Sequence, residues 1–292
     1  MTEQSVILVT GGTGNVGRQV VSQLLGTGVA VRVLTRSPDS AGLPGGVEVV
    51  RGDLADPGTL GGCLDGVDAV FLVWPFFTAE AAPAVLELVA KHARRIVLLS
   101  SMGVRDDVEA QADPINQFHA DLERLIEKSG LEWTFLRCHS FATNALWWAP
   151  QIRADGVVRE PYGAAARPVI HERDIAAVAA RVLTGDGHSG ATYCLTGPQV
   201  LTQVEQVHAI GEAIGRPLRF EEISPEAGRH KMLAAGWPAS VVDGLLDAYA
   251  NMVTEPVPPT STVQEILGTP ARTFREWTVD HADDFRSQRG QR

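Results

Sequence analysis

The chain has 292 residues, 45% of them hydrophobic and 21% charged, with a formal net charge of −10. That suits a well-cored globular protein, either one large α/β domain or a nucleotide domain with a small second lobe. The acidic balance argues against a nucleic-acid partner or an anionic membrane surface, and no apolar run reaches the roughly 18 residues a membrane span needs.

Val6-Ile7-Leu8-Val9 reads as a central parallel strand covered on both faces. It leads into Thr10-Gly11-Gly12-Thr13-Gly14-Asn15-Val16-Gly17. Gly11 turns the chain off the strand, Gly14 admits a pyrophosphate, and Gly17 lets the following helix pack closely. That helix, over roughly 15–26, has an apolar stripe of Val20, Val21, Leu24 and Leu25. Its unpaired N–H groups and positive dipole end suit phosphate. Gly11, Thr13, Gly14, Asn15, Val16 and Gly17 are therefore the expected dinucleotide contacts.

The second strand, Val29–Thr35, is followed by Arg36. An acidic residue there would accept from a free ribose 2′-hydroxyl, whereas an arginine pairs with a 2′-phosphate, so NADP(H) is expected over NAD(H). Asp39 is a competing carboxylate, and the plain alternative for Arg36 is an exposed loop arginine. After the third strand, Val47–Val50, Asp53 and Leu54 are placed against the adenine, with helix capping near Pro57 as the alternative for Asp53. The fourth strand, Asp68–Trp74, brings Val73 and Trp74 to the cofactor.

The fifth strand, Arg95–Ser100, puts Ser100, Ser101 and Met102 at the carboxyl edge of the sheet, where open α/β sheets bind ligands. A helix over roughly 114–128 carries Phe118 and His119, and the sixth strand is Leu131–Arg137. Beyond it a helix carries Phe141, Asn144, Trp147 and Trp148. Short strands are expected over 157–171, a helix over Asp174–Leu183 and a strand at Thr192–Leu195. These alternations predict a doubly wound parallel Rossmann sheet with a small, mostly helical C-terminal lobe. Residues 1–155 form the dinucleotide domain, segments near 166–196 return to it, and 196–292 cover the strand ends, with a substrate pocket between lobes. Glu255–Thr262 is the nearest thing to a linker.

Cys63, Cys138 and Cys194 lie far apart, and the histidines show no ligand spacing, so no metal site is expected and a reducing cytoplasmic setting fits. Asp174 is expected to serve the amino end of its helix rather than pair catalytically with His171. The oligomeric state is left open, a homodimer included.

The glycine turn, Gly52-Asp53, and the stretch from His119-Ala-Asp-Leu-Glu123 to Phe141-Ala-Thr-Asn144 together resemble the NmrA-like, atypical branch of the short-chain dehydrogenases/reductases. The resemblance covers about 200 residues at motif level and thins in the C-terminal lobe. It implies either NADPH-dependent reduction of quinones, azo compounds and dyes, or NADP(H) binding by a redox sensor without turnover. The superfamily's Tyr/Lys pair, four residues apart, is missing: Tyr162, Tyr193 and Tyr249 are followed at that spacing by Ala166, Gly197 and Val253. The helix that should carry the pair has Ile115 and His119 there.

Hydride transfer to a delocalised acceptor needs a hydrogen-bond donor more than a strong acid. His119 is then the candidate proton donor, with Ser100 and Ser101 as hydrogen-bond donors. The alternatives are a core histidine and two serines closing backbone hydrogen bonds. Met102, Phe118, Phe141, Asn144 and Trp148 are the candidate substrate contacts, their aromatic rings suiting a flat aromatic small molecule, against plain core packing. The expected activity is NADPH-dependent reduction of a quinone-like or conjugated aromatic compound. A partner-docking NADP(H) sensor and a cofactor-retaining isomerase or epimerase are the other readings.

Overall fold

The computed structural model describes residues 4–286. Seven strands, β1 (Val6–Thr10), β2 (Ala30–Thr35), β3 (Val47–Arg51), β4 (Val67–Leu72), β5 (Arg95–Ser101), β6 (Glu132–Cys138) and β7 (Ala191–Leu195), form one sheet. Their spatial order is β3-β2-β1-β4-β5-β6-β7, every neighbour parallel. The winding reverses between β1 and β4, the switch point at which open α/β sheets place ligands. The helices are α1 (Asn15–Leu25), α2 (Ala82–His92), α3 (Pro114–Glu127) and α4 (Glu172–Thr184). Helix α1 packs with α4, and α2 with α3, so the sheet is doubly wound as the alternation predicts.

Strand pleating divides the core between two faces. Leu8, Leu34, Val70, Leu72, Ile96 and Leu98 pack with Phe118, Leu122 and Ile126. Their neighbours Ile7, Val9, Val33, Phe71 and Val97 are also buried and point the other way. Each such side chain contributes about 1.5–3 kcal/mol relative to exposure. Arg95 is buried in β5, where its Nη1 donates to the carbonyls of Val182, Leu183 and Gly185 and so satisfies the end of α4.

Several local expectations change. Two 3-10 turns, Pro57–Thr59 and Gly61–Cys63, replace the helix near Pro57, consistent with three glycines between 58 and 62. Strand β4 stops at Leu72, leaving Val73 and Trp74 beyond it. The aromatic segment is a 3-10 helix, Ala142–Trp148, running into an α-helix, Ala149–Ala154, with Phe141 at the N-cap.

By internal packing the chain divides into two units. The first comprises the residues up to Cys138, Glu172–Leu195 and Glu265–Gly268, and holds the whole seven-stranded sheet. The second comprises His139–His171, Thr196–Gln264 and the residues from Thr269. Residues 139–155, read from sequence as part of the dinucleotide domain, therefore group with the second unit. That unit pairs Arg219–Glu222 with Val157–Glu160 in parallel and Leu201–Thr202 with Ala166–Arg167 antiparallel. Its core includes Ile152, Val158, Ile210, Phe274, Trp277 and Phe285. Its longer helices are Gln203–Ile214, entered by a Thr202/Glu205 capping box, and Ala239–Thr254.

Candidate functional site

At the switch point the backbone leaves β1 through Gly11, whose φ of 63° suits glycine. A Cβ on Gly11 would stand 2.9 Å from Val73 Cβ, and one on Gly12 would stand 2.6 Å from Val33 Cγ1. A Cβ on Gly17 would lie 2.2 Å from the Gly11 carbonyl oxygen, so only glycine lets α1 approach the turn this closely. Gly14 is the N-cap of α1, its N–H donating to Gly11 O at 2.9 Å. No side chain caps the helix, and its first turn carries no acidic residue. Its initial N–H groups, from Asn15, Val16 and Gly17, therefore keep their affinity for an anion.

The turn opens on a cleft of about 270 Å³ lined by Gly11, Thr13, Arg36, Asp53, Leu54 and Val73 among the expected cofactor residues. Thr10, Leu34, Thr35, Gly52, Pro75 and Phe76 complete the wall. Thr10 fixes the floor: its hydroxyl accepts from Val73 N–H at 2.7 Å and sits 3.1 Å from Val73 O. Gly52 keeps the wall clear, since a Cβ there would meet Leu34 at 2.5 Å. Trp74 departs from expectation. Its indole Nε1 donates to Thr78 O at 2.7 Å and its ring is buried in the core, so Phe76, edge-on to it at 5.2 Å, faces the cleft instead.

Arg36 stands exposed at the end of β2, and its guanidinium makes no ion pair among the described residues. Register places Arg51 beside Thr35. Arg51 Nη1 donates to Arg36 O at 2.8 Å, and its Nη2 lies 3.7 Å from Asp39, drawing that competing carboxylate toward itself. Asp53 Oδ1 accepts from Ala55 N–H at 2.9 Å, while Asp56, not Asp53, caps the 3-10 turn at Pro57. Arg18 of α1 ties the region together by donating to the carbonyls of Thr13, Ala41 and Gly42. The glycine-cleared turn, the uncapped helix and the arginine at the β2 end fit the pyrophosphate and phosphorylated ribose of a dinucleotide.

The residues proposed for chemistry are less uniform. Ser100 is buried, and its hydroxyl donates to Glu123 Oε1 at 2.5 Å. Glu123 in turn receives Arg137, which also binds Asp106. Hydrogen bonding to Glu123 and Asp106 holds Arg137 above its ordinary value although burial opposes its charge, and the Arg137 contact holds Asp106 low. Ser100 is therefore a structural member of a buried network, and the catalytic expectation is corrected. Ser101 donates to Asn116 Oδ1 at 2.7 Å and accepts from Gly103 N–H, within the cap of α3 where Asp113 accepts from Asn116. Met102 follows it, its N–H donating to Cys138 O at 3.0 Å.

His119 stacks on Phe118 at 4.1 Å, and burial pushes its pKa down to about 4. Its Nδ1 is buried without a partner. At pH 7 it is a neutral imidazole, a hydrogen-bonding group and not the near-neutral proton reservoir expected. Phe118 is 6% exposed and belongs to the α2/α3 core, which corrects its reading as a substrate wall.

In the second unit, Phe141 pairs with Ile170 and accepts from Asn144 N–H at 3.1 Å. Trp148 is 5% exposed in that unit's core, whereas Trp147 is 53% exposed and meets Trp237 edge-on at 5.2 Å. Both tryptophans line a largely apolar chamber of about 430 Å³ with Leu146, Met232, Trp237 and Tyr249. Asp174 lies in the first turn of α4 as anticipated, while His171 Nε2 sits 3.2 Å from Asp280. Among the described residues no helix is long and apolar enough to cross a membrane.

Residues 11–186 match a protein-family model described as NAD(P)H-binding. The chain is 42% identical over 291 residues to a (4-alkanoyl-5-oxo-2,5-dihydrofuran-3-yl)methyl phosphate reductase of Streptomyces griseus subsp. griseus, covering 96% of this chain and 99% of that one. It is 35% identical over 286 residues to an NAD(P)H azoreductase of Xenophilus azovorans, covering 96% and 99%. A solved NADPH-dependent quinone oxidoreductase of Escherichia coli, complexed with NADPH, shares the fold at a TM-score of 0.76 and 23% identity, over 94% of this chain and 99% of that one.

Proposed function

Because the chain belongs to the NAD(P)H-binding family, of the NmrA-like short-chain dehydrogenase/reductase type, we propose that it is an NADPH-dependent reductase of small, electron-poor conjugated acceptors. The observation that carries this is the glycine-cleared cleft at the β1–β4 switch point with Arg36 at its far end. When bound, the nicotinamide supplies hydride. The amino end of α1 holds the pyrophosphate, Leu54 and Phe76 pack the adenine, and Arg36, with Arg51 behind it, receives the 2′-phosphate. The neutral His119 imidazole orients or hydrogen-bonds a group near the sheet edge. In the second unit, Trp147, Trp148 and Trp237 line an apolar chamber that suits a flat aromatic body.

The relatives named for an azo substrate and for an acylated dihydrofuranone support this acceptor class. A quinone, an azo bond and a carbon–carbon double bond conjugated to two carbonyls all delocalise the charge that hydride delivers. None demands the Tyr/Lys acid pair this chain lacks. Cys63, Cys138 and Cys194 form no disulfide among the described residues, which fits a reducing cytoplasmic setting. The test is NADPH oxidation with menadione, an azo dye and an acylated dihydrofuranone, in both its methyl phosphate and its hydroxymethyl form, alongside calorimetry with NADPH and NADH. Acceptor-dependent NADPH consumption is expected; no binding heat and no turnover on folded protein would overturn the reading.

A further inference from the structure

The second unit buries a cation that nothing pairs. Arg167 is 4% exposed, yet its Nη1 has no hydrogen-bond partner, and it makes no ion pair among the described residues. An isolated buried guanidinium is expensive, and native folds normally resolve it with a carboxylate or a bound anion. One face of the group is covered, lying 4.7 Å from the centroid of the Tyr249 ring. The in-plane N–H fork is left for an acceptor.

His139 Nδ1 is also buried and unpartnered, and it belongs to the same unit. Burial first, and the Arg167 charge second, push its pKa down to about 4. The backbone around Arg167 is held firmly. Arg167 pairs with Leu201, and five residues earlier Tyr162 adopts φ 59°, the one positive φ outside glycine among the described residues. Gln203 Nε2 and Ala165 N–H both donate to the Tyr162 carbonyl at 2.8 Å. A conformation of this kind persists where its surroundings over-determine it, often beside a ligand. Tyr249 and Gln203 are in addition walls of the apolar chamber.

We propose that Arg167 binds the phosphate of a phosphomonoester whose apolar body occupies the chamber that shares Tyr249. A pair of phosphate oxygens matches the in-plane guanidinium fork bidentately, which a single carbonyl cannot. The proposal does not rest on the reductase reading, since every residue in it belongs to the second unit.

Direct binding to the full-length protein tests it without turnover. Calorimetry compares the acylated dihydrofuranone methyl phosphate, its hydroxymethyl form and inorganic phosphate. The phosphomonoester is expected to bind about ten- to a hundredfold more tightly than the alcohol, the range for charge-assisted hydrogen bonds. Arg167→Gln should erase that gap while alcohol and NADPH affinities stay within about twofold, and Arg167→Lys should retain part of it. Equal binding of ester and alcohol to the wild-type protein overturns the proposal, as does a gap that survives Arg167→Gln. If Arg167→Gln does not fold, an ester–alcohol gap unchanged in Arg167→Lys overturns it. Inorganic phosphate binding as tightly as the ester, without competition from the alcohol, overturns the apolar body. Ester binding that tracks Arg167 without NADPH oxidation sinks the reductase reading and leaves this site standing, whereas menadione turnover without an ester preference does the reverse.

Discussion

The Ser100 hydroxyl and the Glu123 carboxylate meet at 2.5 Å in the core between β5 and α3, and Arg137 of β6 closes on the same carboxylate. Three elements are thereby tied by one buried charge pair. Removing one member of such a pair costs about 3–5 kcal/mol, so Glu123→Gln should lower unfolding stability by that amount in urea titration. Ser100→Ala should cost about 1.5–3 kcal/mol, the range for a hydrogen bond to a charged group. It should leave kcat within about twofold. A hundredfold fall in kcat on stably folded Ser100→Ala would return Ser100 to the chemistry.

Gly17→Ala places a methyl group 2.2 Å from the Gly11 carbonyl oxygen. Backbone on both sides must yield, which costs about 1–3 kcal/mol and shifts the N–H groups aimed at the pyrophosphate. Calorimetry should show NADPH affinity weakened at least about tenfold, one tenfold step being about 1.4 kcal/mol, with a lowered melting temperature. Gly28→Ala is the control. Gly28 has φ 85° but nothing within 4 Å, so it should lose stability through backbone strain without a change in affinity.

Arg36→Asp exchanges a partner of the 2′-phosphate for a partner of the 2′-hydroxyl. The ratio of NADPH to NADH affinity should fall by about ten- to a hundredfold, as expected for charge-assisted contacts. Arg51→Gln should weaken NADPH less, because it acts through the Arg36 carbonyl and the Asp39 carboxylate. An unchanged coenzyme ratio in Arg36→Asp would remove the selector role.

Burial holds both His119 and His139 down to about 4, and the Arg167 charge adds to the effect at His139. In the unfolded chain each titrates near pH 6.5. Between those values the unfolded chain binds more protons than the folded one, so stability is full above about pH 6.5 and falls as the pH drops toward 4. Unfolding free energies from urea titration should decline from pH 7.5 to pH 5, by on the order of 1–2 kcal/mol per histidine, and His119→Asn should flatten the curve. The kcat profile should show no ionisation from His119 between pH 5.5 and 8. A limb near pH 6.5 that disappears in His119→Gln would contradict the neutral imidazole.

The glycine turn and the position of Arg36 just after β2 are legible in the sequence because both are local: spacing alone determines where the backbone bends and which residue comes directly after the strand. Ser100, Phe118 and Trp74 are placed differently by the fold for the opposite reason. Ser100 is claimed by Glu123, 23 residues away, and Phe118 by a core assembled from α2 and five strands. Gly12 and Arg51 went unnoticed because their importance depends on register, against Val33 in one case and Thr35 in the other. Arg167 looks ordinary in a linear chain, since the lack of a partner exists only in three dimensions.

Arg36 performs its scaffolding duty through its main chain, where its carbonyl is anchored by Arg51, while its side chain reaches solvent with no tether to the fold. If Arg36 chooses the coenzyme as proposed, the architecture separates that choice from what keeps the loop in place. A descendant of this chain would then move between the cell's two nicotinamide pools by a change at one position outside the loop's anchor.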